Sequence, residues 1–294
     1  MLFPKKSLGQ NFLTNTGIVA SIVDAASLIP GETVLEIGPG KGILTEELLK
    51  QGAHVIAVEK DRELIPVLQD KFKKEITEDR LVLINDDILN FHLSDPSPDG
   101  VSDPVRMFEK GEEGSKGKTL RTGLQTPSGD EKTGNRPYKL VANIPYYITG
   151  QILRKFLEAK KQPEKMVLLV QKEVAERIIA RDKKESLLSI SVKVYGAPTF
   201  VKTVKAGSFT PAPKVDSAIL LIDDISRDFF KNISEERFFE ILHAGFAHKR
   251  KQLFGNLRAV FDEKILKEKM KEAGIPENIR AEDVSLAEWK KLSE

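Results

Sequence analysis

Thr33-Val34-Leu35-Glu36-Ile37-Gly38-Pro39-Gly40-Lys41-Gly42 couples a short apolar run to three glycines at alternate positions. An apolar run that ends in glycine marks a buried strand. After the glycines, Ile43–Gln51 places Leu44, Leu48 and Leu49 on one side of a helix, and Gly52 stops it. Strand, glycine turn and helix in this order open a βαβ unit, and the glycines let the backbone turn sharply and come close to a ligand. The spacing is G-x-G-x-G. The dinucleotide fingerprint needs a third glycine where Ile43 stands, so a pyrophosphate cradle is disfavoured.

Outward from this unit the alternation continues. His54–Glu59 reads as a second strand and Leu64–Phe72 as a helix with Pro66 in its first turn, where a missing N–H costs little. Leu81–Ile84, Lys139–Ala142 and Met166–Gln171 read as strands three to five, with a helix over Ile148–Ala159. Such alternation predicts an α/β fold, a Rossmann-like parallel sheet with helices on both faces. Beyond Leu188 the pattern changes: Ser189–Tyr195 and Pro198–Lys205 read as extended, and Ala218–Ile222 as a strand. From Ser234, a helix N-cap followed by Glu235 and Glu236, the chain reads as helical, and Ser285 with Glu288 forms a capping box for a last helix. These signals predict a sheet domain over residues 1–224 and a small all-helical domain over 225–294. Pro96–Pro137 breaks the rhythm with 5 Pro and 7 Gly in 42 residues, and is expected to be a disordered surface insertion.

Composition excludes several classes. The chain has no cysteine, hence no disulfide and no thiolate zinc site. No run approaches the roughly 18 apolar residues of a membrane span, and no apolar stretch follows Lys5 and Lys6, so a cytoplasmic protein without a membrane partner is expected. His54, His92, His243 and His248 show no metal-ligand spacing, and no metal is expected. Net charge is only +2, but it is unevenly spread. Residues 1–95 carry 10 Lys/Arg against 15 Asp/Glu, and residues 151–214 carry 14 against 6. A basic part beside an acidic part suits a face for a polyanion, although solvated helix faces give the same count.

Three strand ends carry ligand chemistry. Glu59 closes the second strand, where a carboxylate accepts hydrogen bonds from both hydroxyls of a ribose. Asp86 and Asp87 follow the third, where a carboxylate can hold an adenine amino group. Asn143-Ile144-Pro145-Tyr146 follows the fourth. An exocyclic adenine amine is a poor nucleophile because its lone pair is delocalised into the ring. Acceptors for both of its N–H groups, the Asn143 side-chain oxygen and a backbone carbonyl near Ile144, favour a pyramidal nitrogen with its lone pair aimed outward. Pro145 stiffens the loop, and Tyr146 offers an aromatic face.

With these residues in place the chain resembles the KsgA/RsmA family of ribosomal RNA adenine dimethyltransferases, relatives of the Erm methyltransferases. The resemblance spans about residues 5–294, apart from the insertion. It rests on Lys6-Ser7-Leu8-Gly9-Gln10-Asn11-Phe12-Leu13, on Glu36–Gly42, on Asp87-Ile88-Leu89, on Asn143–Tyr146, and on Phe209-Thr210-Pro211-Ala212-Pro213-Lys214-Val215-Asp216-Ser217. It implies a class I methyltransferase sheet with S-adenosylmethionine as cofactor, contacted by Asn11, Leu13, Gly38, Gly40, Glu59, Asp87 and Asn143. It implies that Asn143, Pro145 and Tyr146 position the target adenine and that Phe209 stacks on it. The implied substrate is a pair of adjacent adenosines in a hairpin loop near the 3′ end of small-subunit rRNA, within the assembling 30S subunit. The sequence carries no strong oligomerisation signal, so a monomer is expected. His248-Lys249-Arg250-Lys251-Gln252-Leu253-Phe254 is similar to the family's basic helix. The insertion is longer than the family's usual loop. Alternatives are an Erm-type large-subunit rRNA methyltransferase, an adenine-N6 DNA methyltransferase, an assembly factor acting by binding and, weakest, a nicotinamide-dependent oxidoreductase.

Overall fold

The computed structural model describes residues 4–5, 8–91 and 137–294. The expected insertion over Pro96–Pro137 lies outside the described residues except for its last residue. In chain order the described strands are β1 (Phe12–Leu13), β2 (Thr33–Ile37), β3 (His54–Glu59), β4 (Leu81–Asn85), β5 (Tyr138–Asn143), β6 (Lys165–Gln171), β7 (Ala197–Val204), β8 (Phe209–Thr210) and β9 (Ser217–Asp223). Helices α1 (Thr16–Ala26), α2 (Ile43–Lys50), α3 (Ile65–Lys71), α4 (Lys73–Thr77) and α5 (Thr149–Leu157) accompany the first five strands, and α6 (Lys172–Ile178) and α7 (Leu187–Lys193) follow β6. Helices α8 (Glu235–Gly245), α9 (Leu253–Leu257), α10 (Glu263–Ala273) and α11 (Leu286–Ser293) complete the chain.

Seven strands form one sheet in the order β4-β3-β2-β5-β6-β9-β7. The first five pair in parallel, as the alternation predicts. From β2 the chain winds outward through β3 to β4, then returns to β5 on the other side of β2. That reversal creates a crevice beyond the carboxyl ends of β2 and β5, where ligands of such sheets bind. The register aligns those ends: Ile37 lies opposite both Val58 and Ala142, and Glu59 opposite Asn85. The Asn85 amide donates to the Glu59 carbonyl at 2.8 Å, which ties the ends of β3 and β4 together.

Burial explains why these residues form these elements. Helix α1 buries Ile18, Val19, Ile22, Val23 and Ala26, spaced three and four apart, and the Asn15 side chain caps its first turn at 3.2 Å. At the amino end of central β5, Lys139 is only 8% exposed; its ammonium donates to Glu32 Oε2 at 2.7 Å and to the Ser27 carbonyl at 2.9 Å, so its charge is compensated where it is buried. Gly42 caps α2 with φ +75°, and a Cβ there would stand 2.5 Å from Cε2 of Phe72. No other residue fits that turn without moving the Phe72 ring.

The chain divides into two compact units, one of residues 1–172 and 201–221, the other of residues 173–200 and 222–294. Segment 173–200 thus packs with the C-terminal helices, tied in part by the Glu185 N–H donating to the Glu282 carbonyl at 2.8 Å. Within it, Ser189–Tyr195 is a helix for most of its length, not the extended segment that its β-branched residues suggest. The Ser186 hydroxyl accepts from the Ser189 N–H at 3.1 Å while Ser189 Oγ accepts from the Ser186 N–H at 2.6 Å. This reciprocal cap starts the helix, and burial of Ile190 and Val192 outweighs their strand preference. Ser234 and Ser285 cap α8 and α11 as expected, the latter with Glu288 in a full capping box.

Gly245, at the end of α8, packs on the fully buried indole of Trp289; a Cβ there would lie 2.4 Å from its Cη2. Gly245→Ala is expected to destabilise the second unit by about 1–3 kcal/mol through overpacking. Thermal unfolding followed by tryptophan fluorescence checks this, since Trp289 is the chain's one tryptophan.

Candidate active site

A cavity of about 360 Å³ opens at the carboxyl ends of the parallel strands, a size suited to a small molecule. Ile37 and Gly38 of the β2 end, Val58 and Glu59 of β3, Asp86 and Asp87 after β4, and Asn143–Tyr146 after β5 converge in its wall. The sequence-predicted residues Asn11, Gly38, Gly40, Glu59, Asp87, Asn143, Pro145 and Tyr146 all line it. Gly38 has φ +67°, and a Cβ on it would meet no protein atom within 4 Å. That Cβ would instead project into space beside the cavity wall.

Hydrogen bonds fix the polar groups. Glu59 is only 5% exposed, and its carboxylate accepts from the Gly40 N–H at 3.1 Å and the Asp61 N–H at 2.7 Å. Burial pushes its pKa up, and these backbone donors oppose that shift. Each oxygen keeps a second lone pair for a ligand hydroxyl. Burial also works against the Asp87 carboxylate, but the Lys60 ammonium at 2.7 Å and the Leu89 N–H at 3.0 Å outweigh it and hold the pKa below the usual value.

The Asn143 amide nitrogen donates to the Asn11 carbonyl at 3.1 Å. With the nitrogen committed, the side-chain oxygen is left as the acceptor, as the site chemistry requires. The Tyr146 hydroxyl meets Ser217 Oγ at 2.5 Å, and burial raises its pKa while Ser217 opposes the shift, so the phenol stays neutral. Pro145 precedes a short 3-10 turn over Tyr146–Ile148 that leads into α5.

Leu13 does not line the main cavity; it is 5% exposed and lines a small pocket of about 30 Å³ that shares Phe12, Gly38, Gly40 and Asn143 with it. Phe209 does not reach the cavity wall at all. It is 4% exposed in the hydrophobic core, because β8 pairs antiparallel with β1 and sets Phe209 opposite Leu13. Its place is behind the Asn11–Leu13 lip, where it braces that wall.

The basic run His248–Gln252 is not helical either. It forms an exposed turn between α8 and α9, because the buried Asn256 amide donates to both the Gly245 carbonyl at 2.6 Å and the His248 carbonyl at 3.2 Å. Several bases of 151–214 are paired locally, Arg177 with Glu173, Arg181 with Glu176 and Lys193 with Glu185, and Lys205 pairs with Asp216, which lies just outside that stretch.

Sequence reasoning missed part of the wall. Ile88 and Leu89 follow Asp87 there, and Leu8, Gly9, Gln10 and Phe12 come from the N-terminal segment. An apolar pair directly after a strand-end acid was a usable signal for the former. For the latter the signal was the Lys6–Leu13 stretch that carries the family resemblance; periodicity gave none, since only the fold brings the N-terminal segment to the strand ends.

The family model for "Ribosomal RNA adenine dimethylase" matches residues 3–294. The chain belongs to the ribosomal RNA adenine dimethylase family. The dimethylase is 41% identical over 291 residues to "Ribosomal RNA small subunit methyltransferase A" of Dehalococcoides mccartyi strain BAV1, spanning 98% of this chain and 87% of that one. It is 35% identical over 297 residues to the protein of that name from Streptococcus thermophilus strain LMG 18311, spanning 99% and 91%. In fold, the dimethylase is similar to the 23S rRNA methyltransferase ErmE, with a TM-score of 0.69 and 24% identity over 96% of this chain and 98% of that one. It is equally similar to a dimethyladenosine transferase from Plasmodium falciparum, with a TM-score of 0.68 and 24% identity over 96% and 95%. These two likenesses are of the class I methyltransferase fold. No helix among the described residues is long and apolar enough to cross a membrane.

Proposed function

We propose that this chain dimethylates N6 of two adjacent adenosines in a hairpin loop near the 3′ end of small-subunit rRNA, with S-adenosylmethionine as methyl donor. The observation that carries this reading is the convergence of Glu59, Asp87 and the donor-locked Asn143 amide on one cavity, in a chain of the adenine dimethylase family. The cavity fits the donor in size and chemistry. Glu59 is placed for the ribose hydroxyls, Asp87 with Ile88 for the adenine, and Gly38, Gly40, Asn11 and Asn143 for the remainder, with Leu13 in the small pocket beside them. When bound, S-adenosylmethionine supplies a methyl group activated by its sulfonium centre.

The protein's own part is positional. Asn143 Oδ1 and a carbonyl near Ile144 accept from the target amine and hold its lone pair toward the methyl group. Pro145 fixes the loop, and the neutral Tyr146 presents its ring to the base or the sulfonium. The amine's proton leaves to water after transfer, so no strong base is needed, and alignment supplies most of the rate. Phe209 contributes by bracing the Asn11–Leu13 lip. The unit of residues 1–172 and 201–221, not the whole of 1–224, is the catalytic part, and 173–200 with 222–294 is the RNA-recognising part of a cytoplasmic enzyme that acts as a monomer on the assembling 30S subunit. A splayed loop suits it, because the base must leave its stack to enter the cavity.

The test is transfer from labelled donor to small subunits lacking dimethyladenosine, with mass spectrometry of the digested rRNA. Dimethyladenosine at two adjacent positions is expected. Transfer only to large-subunit rRNA, or binding without transfer, would overturn the reading. For the basic turn, replacing Lys249, Arg250 and Lys251 together with alanine is expected to reduce the slope of log affinity against log salt by about two, at roughly 0.7 per lost single-strand phosphate contact. Filter binding across a salt series checks it.

A further inference from the structure

Among the described residues Tyr147 is the single exposed aromatic side chain; it is 61% exposed, and every other aromatic ring is buried or half-buried. It stands in the cavity wall directly after Tyr146. Its hydroxyl has no hydrogen-bond partner among the described residues, so no local bond accounts for its position. The ring is nonetheless held. Gly9, at φ +62°, passes so close that a Cβ there would lie 3.0 Å from Tyr147 Cε1, 3.2 Å from its Cδ1 and 3.5 Å from Pro145 Cβ. One side of the ring is therefore backed by the N-terminal segment, while much of the rest faces solvent.

We propose that Tyr147 is the stacking platform for the nucleotide next to the target adenosine. A fixed, solvent-facing ring at the rim of the donor cavity matches how proteins hold splayed single strands, where each base stacks on an aromatic face without sequence readout. The neighbouring positions of Tyr146 and Tyr147 in the wall match neighbouring bases in the loop: one base enters the cavity while the next rests on Tyr147. This rests on the RNA reading above and assigns that site a second base position.

The test uses the full chain and reconstituted small subunits lacking dimethyladenosine, with 2-aminopurine at either the target or the adjacent position of the loop. Tyr147→Ala is expected to raise KM for RNA about tenfold, within the range of aromatic stacking, and to leave the calorimetric affinity for S-adenosylhomocysteine within about twofold. Tyr147→Phe keeps the ring and is expected to restore RNA KM. Quenching of the adjacent 2-aminopurine on binding should be lost in Tyr147→Ala and kept in Tyr147→Phe. Unchanged RNA KM and unchanged quenching in Tyr147→Ala would overturn the platform. So would a matching loss of cofactor affinity, which would make Tyr147 a wall residue only. An unaltered enzyme that neither binds nor methylates these subunits would overturn the RNA reading, and the platform with it.

Discussion

Asn143→Ala is expected to lower kcat for methyl transfer by about 10²–10³, the usual cost of removing one preorganised polar contact to a reacting group. The fold should survive. The lost bond to the Asn11 carbonyl is one partly buried hydrogen bond, worth about 1 kcal/mol. Donor affinity should fall less than the rate, because Glu59 and Asp87 remain. Asn143→Asp separates the two functions of the amide: it keeps an acceptor for the adenine amine but loses the donor that orients it. An intermediate rate is expected. Single-turnover transfer together with calorimetry of S-adenosylhomocysteine binding measures both. A rate within tenfold of the parent in Asn143→Ala would show that the acceptor lies elsewhere.

The second large effect concerns stability and pH. Glu36, the last residue but one of β2, is 1% exposed, with Thr45 beside its carboxyl and no well-formed hydrogen bond to either oxygen among the described residues. Burial pushes its carboxyl up to about 8, with the Glu59 charge adding to the rise and Thr45 opposing it. In the unfolded chain the same group titrates near 4.5. Between those values the folded state holds a proton that the unfolded state releases. The contribution of this residue is therefore fully present below about pH 4.5 and is lost as pH rises through about 8. Glu36→Gln keeps the shape and removes the titration. The variant should match the parent near pH 4.5 and exceed it at pH 9 by on the order of 3–5 kcal/mol. Denaturant unfolding at a series of pH values decides it; a parent and variant that keep a constant difference across the range would show that Glu36 titrates normally.

Much of the fold was legible because its signals are local. The runs at Thr33–Ile37, His54–Glu59 and Lys139–Ala142 are apolar on both faces, as strands covered on both sides must be, and the serines at 234 and 285 cap helices by contacts within three residues. The strand-end acids and Asn143 were legible for a related reason: a parallel sheet fixes which end of every strand meets the ligand. What escaped depends on partners distant in sequence. Ser189–Tyr195 alternates β-branched residues like a strand, and only the Ser186 cap and its burial decide for helix. Phe209 carries a motif that suits a base-stacking ring, yet its pairing with Leu13, across nearly the whole first unit, turns it into the core. Tyr147 directly follows Asn143–Tyr146, but its exposure is a property of the folded chain and leaves no mark in the sequence.

The backbone passes between the two compact units at residues 172/173, 200/201 and 221/222. Glu173–Phe200 is therefore threaded into the C-terminal helices, with the Glu185–Glu282 backbone bond as one stitch. A chimera cut near residue 224 would separate two halves of a single packed body and leave both without their matching surfaces. Transplanting this unit onto another methyltransferase calls for two grafts made together. Natural recombination at one breakpoint would face the same barrier, so the two segments are expected to be inherited as a pair.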